Sequence, residues 1–476
     1  MSKWCDQNNI ISDAQFGFRA GRSTADASFI LHSVIEKTLC VNKRLYCAFI
    51  DLKRAFDNIN RNTLWYKLYH LGINGKILRV FRDMYNIIKS SVRKNHSYSD
   101  CFNNYLGLLQ GEITSPIMFA MFLEDLELSL QDPNFKHNGI QYEDLLLVIL
   151  MFADDMIIFG QTPEDLQFKL NALKDYCDTW GLEVNCNKTK VVVFRKRGGL
   201  KDDEAWYYGA DNLDIVNDFN YLGTTFNYTG NFTLNQEFLS GKGLRALNTL
   251  MSNIRNLNLS TKVVCQLFDA FVGSILNYNC EVWGYTKSKE LERIHLKFCK
   301  NLLHLRRSTS TFGIYGELGR YPLYVGRYSR IIKYWFKLVS TDNIILSTVY
   351  NSMLQDCCKG KKNWVSNVKY LLESNGFANV WTDPFSVNCK TFHIFFKKRL
   401  EECFVQTWHG NVNESGVLFS YKFFKIEFGL ETYLNCLPKH LRYFLAKLRL
   451  SSHSLGIETG RYSRPKIDRS GRYCER

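Results

Sequence analysis

From Leu145 to Phe159 the chain is an apolar run interrupted once, by Ala153-Asp154-Asp155, before it resumes at Met156-Ile157-Ile158. Two apolar segments of strand length joined by so short a break predict a buried hairpin with two carboxylates at its tip. An ionised aspartate beside apolar strands costs several kcal/mol in lost hydration unless a cation or partner offsets it. Two adjacent carboxylates also repel each other, so the tip is poised for a hard divalent ion that takes oxygen ligands together with substrate phosphates. Asp-Asp in a turn is ordinary turn chemistry as well, and the choice between the two readings rests on what lies upstream.

Upstream, Tyr46-Cys47-Ala48-Phe49-Ile50 is a second apolar strand that delivers Asp51 at its end. If this strand pairs beside the hairpin, Asp51, Asp154 and Asp155 converge on one edge of an antiparallel sheet. Two metals roughly 3.5–4 Å apart could bind there and clamp the attacking and leaving oxygens of a phosphoryl transfer. The plainer reading is an aspartate between a strand and a helix, with Asn58 or Asn60 capping the segment Arg61 to Leu71. Between the two carboxylate segments, Gly107-Leu108-Leu109-Gln110-Gly111-Glu112-Ile113-Thr114-Ser115-Pro116 is a loop entering a helix. Ser115 is the expected N-cap, Pro116 the first helical residue, and the helix is expected to run to about Leu130. Gly111 allows close backbone approach, and Gln110 offers both a donor and an acceptor.

The order of these three segments resembles the palm of a reverse transcriptase of the non-LTR (LINE-like) retrotransposon family. That family carries a first motif ending in Ala-Phe-Asp, here Ala55-Phe56-Asp57, then a Gln-Gly…Ser-Pro loop and a Phe/Tyr-Ala-Asp-Asp hairpin. Gln15-Phe16-Gly17-Phe18-Arg19-Ala20-Gly21-Arg22 resembles its fingers motif. Trp180-Gly181-Leu182 through Lys190 resembles the next palm motif, and Phe219-Asn220-Tyr221-Leu222-Gly223 a primer-grip hairpin. The resemblance implies an α+β right-hand polymerase: fingers and an antiparallel palm sheet in 1–226, a helical thumb in 227–310, and a basic, mostly helical region of unknown role in 311–476. It implies RNA-directed DNA synthesis with an RNA template, a DNA primer, deoxynucleoside triphosphates and two Mg²⁺ ions, Mn²⁺ being the alternative. A ribonucleoprotein with the element's own RNA is a further expectation. Asp51, Asp154, Asp155 and the Leu52 carbonyl would hold the metals. Phe56 would be the steric gate against a ribose 2′-hydroxyl, and Gln110 and Gly111 would face the nucleotide. Lys188 or Lys190 would lie near the triphosphate, and Arg19 and Arg22 would contact template phosphates. Asp57 could mimic the second aspartate of an RNA-dependent RNA polymerase, but Phe56 and the alanine before the Asp pair favour the retroelement side.

The formal charge of +15 is unevenly distributed: residues 1 to 226 hold 25 Lys and Arg against 28 Asp and Glu, residues 227 to 476 hold 36 against 18. The second half therefore carries the basic footprint expected of nucleic-acid binding, with clusters at Arg306-Arg307, Lys359 to Lys362, Lys397 to Arg399 and Arg461 to Arg476. Fifteen dispersed cysteines point to reduced thiols rather than a disulfide framework. The start lacks a signal segment and the longest apolar run is too short for a bilayer, so the expectation is a soluble, intracellular protein, nuclear or cytoplasmic, with no membrane partner. Cys436, His440, His453 and Cys474 could supply zinc ligands, although their spacing is not that of a compact knuckle. LINE-like proteins begin with an endonuclease and an earlier fingers segment, so a start some fifteen residues before the Gln-Phe-Gly-Phe motif reads as an N-terminal truncation without the endonuclease. Two functions follow: a reverse transcriptase, or a catalytically inactive remnant that binds nucleic acid.

Overall fold

In the computed structural model, which describes residues 2–131, 139–142, 145–460, 463, 465, 467, 468, 471 and 472, the first apolar strand is β1 (Leu45–Ile50), buried along its whole length. A strand covered on both faces reads as an unbroken apolar run rather than an alternation, which is the pattern Leu-Tyr-Cys-Ala-Phe-Ile shows. The expected hairpin is β2 (Ile149–Phe152) and β3 (Asp155–Gly160), with Phe152 opposite Asp155. β4 (Lys190–Phe194) and β5 (Asp214–Ile215) complete a five-stranded sheet in the order β5-β4-β1-β3-β2. β1 is antiparallel to both neighbours, with Ile50 opposite Met156 on one side and Phe49 opposite Lys190 on the other. The sheet is not wholly antiparallel: β5 runs parallel to β4, because the chain leaves the sheet after Phe194 and returns on the same heading.

Two helices pack on this sheet, α1 (Thr24–Cys40) and α4 (Pro163–Trp180). Between them in sequence lie α2 (Arg61–His70) and α3 (Ser115–Phe122), which pack on each other. Asn60 caps α2, its side chain accepting from the Asn62 N–H. The helix at Ser115 departs from expectation in two ways. Thr114 is the N-cap, so Ser115 is already helical and its hydroxyl donates to Glu112 (3.1 Å). The helix ends at Phe122 and resumes for four residues at Leu126–Ser129, rather than running on to Leu130. The Phe122 carbonyl accepts from Lys67 Nζ (2.7 Å) and from the Tyr176 hydroxyl (3.2 Å), so side chains from α2 and α4 satisfy it where the helix stops.

The chain divides into two compact units, 1–232 with 338–366, and 233–337 with 367–476. The sequence places a boundary at 310/311 and a continuous C-terminal region after it; in the structure the segment 338–366 instead belongs with the sheet-bearing unit. There the helix Ile344–Cys358 packs on α1, and the Trp364 ring meets Phe29 of α1 edge-on at 5.0 Å. The second unit is helical. Thr233–Ile254 packs with Lys289–Leu302, and Thr261–Phe268 continues through a π turn into Ser274–Leu276. Within the same unit a buried carboxylate, Glu317, takes hydrogen bonds from Arg449 (2.7 Å) and Tyr433 (2.6 Å), which ties Thr311–Leu318 to Lys439–Arg449. Every described cysteine is free, and no described helix is long and apolar enough to cross a membrane.

Candidate active site

The site is built from the sheet outward. β1 ends at Ile50, opposite Met156, so Asp51 leaves the sheet next to Asp155, the first residue of β3. Asp154 occupies the two-residue turn between β2 and β3 together with Ala153, whose φ of 59° is left-handed. The three aspartates thus share one edge of the sheet, as the sequence suggested on the condition that the strands pair. Asp51 is held from the β4 side: Thr189 Oγ1 accepts from its N–H (3.2 Å), and the Asn185 N–H donates to its carbonyl (2.7 Å). The next backbone bond on that side runs from Lys53 N–H to the Glu183 carbonyl (2.7 Å). Because antiparallel ladders alternate, the intervening Leu52 carbonyl points the other way, toward the hairpin.

Electrostatics mark the same edge. The Asp155 side chain is open to solvent at the tip, yet the packed hairpin strips part of its water. That desolvation, reinforced by the charges of Asp154 and then Asp51, pushes its carboxyl up to about 6. Beneath it the Tyr221 hydroxyl is buried with no hydrogen-bond partner among the described residues and feels the Asp155 charge; burial raises it well above the usual phenol value. Among the described residues no set of three or more His, Cys, Asp or Glu side chains closes into a ready-made metal shell. The carboxylates share an edge without converging on one point. Their chemistry fits a hard divalent cation all the same: three oxygen donors that repel one another, one of them raised, and an orphaned hydroxyl beside them.

The remaining expected residues separate into those the fold brings to this edge and those it does not. Lys188 lies 3.7 Å from Asp51. Lys190 does not join it, because its ammonium turns along the sheet to Asp214 at 2.5 Å. Phe56 is half-buried, stacked on Phe119 of α3 (4.5 Å between centroids) with Phe18 edge-on at 6.4 Å. The loop that carries Gln110 is fastened to the same turn: Leu108 N–H donates to the Phe56 carbonyl (2.8 Å) and Gln110 Nε2 to Asp57 (3.1 Å). Gly111 has φ +92° and open space where a Cβ would stand. Arg19 and Arg22 need correction. Expected to contact template phosphates, they turn inward instead. Arg19 donates to the Ile11 and Ser12 carbonyls, and Arg22 to the Asp13 and Gln15 carbonyls and the Asp13 carboxylate. A loop with few ladder hydrogen bonds must satisfy its carbonyls locally, and these arginines do so. The zinc reading finds no support either. Cys436, His440 and His453 form no such cluster, the His453 ring accepts from Leu455 N–H, and Cys474 lies outside the described residues. Sequence reasoning missed Gln15 and Tyr221 as site residues; their signal was their place inside motifs read for other roles.

Carboxylates at the ends of adjacent antiparallel strands, with an aromatic ring and a glycine loop beside them, are the arrangement that the resemblance to a polymerase palm implies. Residues 1–226, a little under half of the chain, match the family described as reverse transcriptase (RNA-dependent DNA polymerase). It is 25% identical to a protein named probable RNA-directed DNA polymerase from transposon BS of Drosophila melanogaster, over 61% of this chain and 32% of that protein. With the RNA-directed DNA polymerase from mobile element jockey of the same organism it is 23% identical, over 62% of this chain and 32% of the relative. A putative 115 kDa protein of the type-1 retrotransposable element R1DM, also from Drosophila melanogaster, is 22% identical over 83% of this chain and 34% of its own length. The chain spans about a third of the length of these curated relatives. Among solved structures, telomerase from Candida albicans in complex with a fragment of telomeric RNA aligns with 64% of this chain and 54% of its own, at 14% identity and a TM-score of 0.34.

Proposed function

We propose that this chain is the RNA-directed DNA polymerase of a non-LTR retrotransposon, joining a primer 3′-hydroxyl to the α-phosphate of a deoxynucleoside triphosphate on an RNA template, with pyrophosphate leaving. The observation that carries this reading is the placement of Asp51, Asp154 and Asp155 on one edge of paired strands, inside a segment that matches the reverse transcriptase family. Asp51, the Leu52 carbonyl, Asp154 and Asp155 would hold the cations, Mg²⁺ by preference and Mn²⁺ as a substitute. When bound, two such ions favour ionisation of the attacking hydroxyl and neutralise charge on the leaving pyrophosphate. The chain's own side chains do the rest. Phe56, braced by Phe119, presents a ring edge that excludes a ribose 2′-hydroxyl. Lys188 offers an ammonium for the charge of the departing pyrophosphate. The Gln110-Gly111 loop, tied to the Phe56 turn, gives the nucleotide a close backbone approach. The helices of 227–310 serve as a thumb on the primer–template duplex, and the basic C-terminal region adds sequence-tolerant phosphate contacts. Reduced cysteines suit a working place inside the cell, in nucleus or cytoplasm.

Primer extension on an RNA template with Mg²⁺ tests this. Deoxynucleotide incorporation is expected from the parent, and a loss of at least a hundredfold from Asp154→Asn, since removing one charge-stabilising group typically costs about 10²–10³ in rate. Phe56→Ala is expected to admit ribonucleotides. Folded parent protein that binds primer–template but extends nothing would turn the reading to an inactive, nucleic-acid-binding remnant.

A further inference from the structure

Residues 14–17 form a short strap along β2, the edge strand of the five-stranded sheet. Met151 N–H donates to the Ala14 carbonyl (2.8 Å) and Phe16 N–H to the Met151 carbonyl (2.7 Å), so the strap pairs with β2 just before the turn. Gln15, 1% exposed, sits at the end of that pairing. Its Oε1 accepts from both the Ala153 N–H and the Gly17 N–H at 2.8 Å, and its Nε2 reaches the Ala153 carbonyl at 3.3 Å. One side chain therefore grips both backbone groups of the left-handed residue that precedes Asp154. Gly17 lets the strap come this close, since a Cβ there would stand 2.3 Å from the Ala153 nitrogen. Arg22 fixes the strap from behind through the Gln15 carbonyl (2.9 Å).

We propose that Gln15 is a positioning residue that locks the Ala153 turn and so aims the Asp154 and Asp155 carboxylates at the cations; this rests on the metal-binding reading of the site given above. A non-glycine residue at positive φ is held there at a cost, and it persists where its surroundings over-determine it. Gln15 supplies that determination with an uncharged amide, which donates and accepts at once. A carboxylate in its place would lose the donor and add a fourth negative charge beside the aspartates. Glutamine is thus the side chain that holds this turn without disturbing the charge of the site.

The test compares the parent with Gln15→Met, Gln15→Asn and Gly17→Ala in the full chain, reading Mn²⁺ affinity by water-proton relaxation and amide hydrogen exchange over Phe152 to Asp155. Gln15→Met is expected to weaken Mn²⁺ binding about tenfold or more, as loss of an outer partner of metal ligands does, and to speed exchange in the turn. Gln15→Asn should fall between it and the parent, and Gly17→Ala should move both readouts the same way. If circular dichroism shows that Gln15→Met is unfolded, Gln15→Asn decides. Parent-like Mn²⁺ affinity and turn exchange in the folded Gln15 variants would overturn the proposal. A parent that binds Mn²⁺ no better than Asp154→Asn would instead refute the metal-site reading, and turn exchange alone would then judge the clamp.

Discussion

Tyr221 shows what a single buried hydroxyl implies. It lies under the aspartate edge, 2% exposed, with no hydrogen-bond partner among the described residues. A buried polar group left unpaired costs about 1–3 kcal/mol, so in the absence of metal Tyr221→Phe is expected to raise stability by about 1 kcal/mol. The urea midpoint checks this, and an unchanged or lower midpoint would mean that the hydroxyl already has a partner. At this scale the sequence is uneven in what it discloses. The aspartates are legible because charges interrupting an apolar run contradict burial unless something offsets them. Arg19 and Arg22 mislead because a guanidinium in a glycine-bearing loop reads as free to meet a phosphate, while the carbonyls it caps leave no trace in the pattern. Gln15 is silent for a related reason, since an amide in a loop has no periodicity and its partner lies 138 residues away.

Among the elements, α2, α3 and α4 meet at one buried ammonium. Lys67 of α2 donates to the Phe122 carbonyl, to Asp125 (2.6 Å) and to the Tyr176 hydroxyl (2.7 Å), with the Trp180 ring 3.8 Å from its nitrogen. Desolvation outweighs Asp125 and lowers its ionisation to about 8. The folded value lies below the ordinary lysine value of 10.5. Below pH 8 both states are protonated and the cost of the buried charge is constant. Between about pH 8 and 10.5 the unfolded chain binds more protons, so unfolding free energy rises with pH through that window. The Lys67 contribution to this rise is expected to reach a few kcal/mol at most, and to vanish in Lys67→Met when denaturant curves are compared at pH 7.5 and 9.5. Strands and amphipathic helices were legible at this scale, because periodicity reports burial. The stop of α3 at Phe122 was not, since it depends on donors arriving from two other helices.

For the whole molecule the charge division matters most. Arg306, Arg307 and Lys397 to Arg399 are exposed, and such residues contact phosphates by releasing counterions. Primer–template affinity is therefore expected to fall steeply with salt. Replacing Arg306 and Arg307 together by alanine should flatten the slope of log affinity against log salt by roughly 1–2, and fluorescence anisotropy across a salt series reads it directly. An unchanged slope would remove these arginines from the interface. The architecture was legible up to the primer-grip segment, where motifs and strands coincide. Beyond it, the sequence pattern carries no signal of which unit each helix joins.

That assignment has a temporal side. The sheet-bearing unit is completed by residues 338–366, and Trp364 closes against Phe29 of α1. A ribosome delivers Asp155 more than two hundred residues before it delivers Trp364. During that interval every carboxylate of the edge exists, yet the face of α1 that packs on Ile344–Cys358 and Trp364 waits bare in the nascent chain. Synthesis order thus makes the last helix of this unit, rather than its active-site motifs, the step that ends its exposure to aggregation.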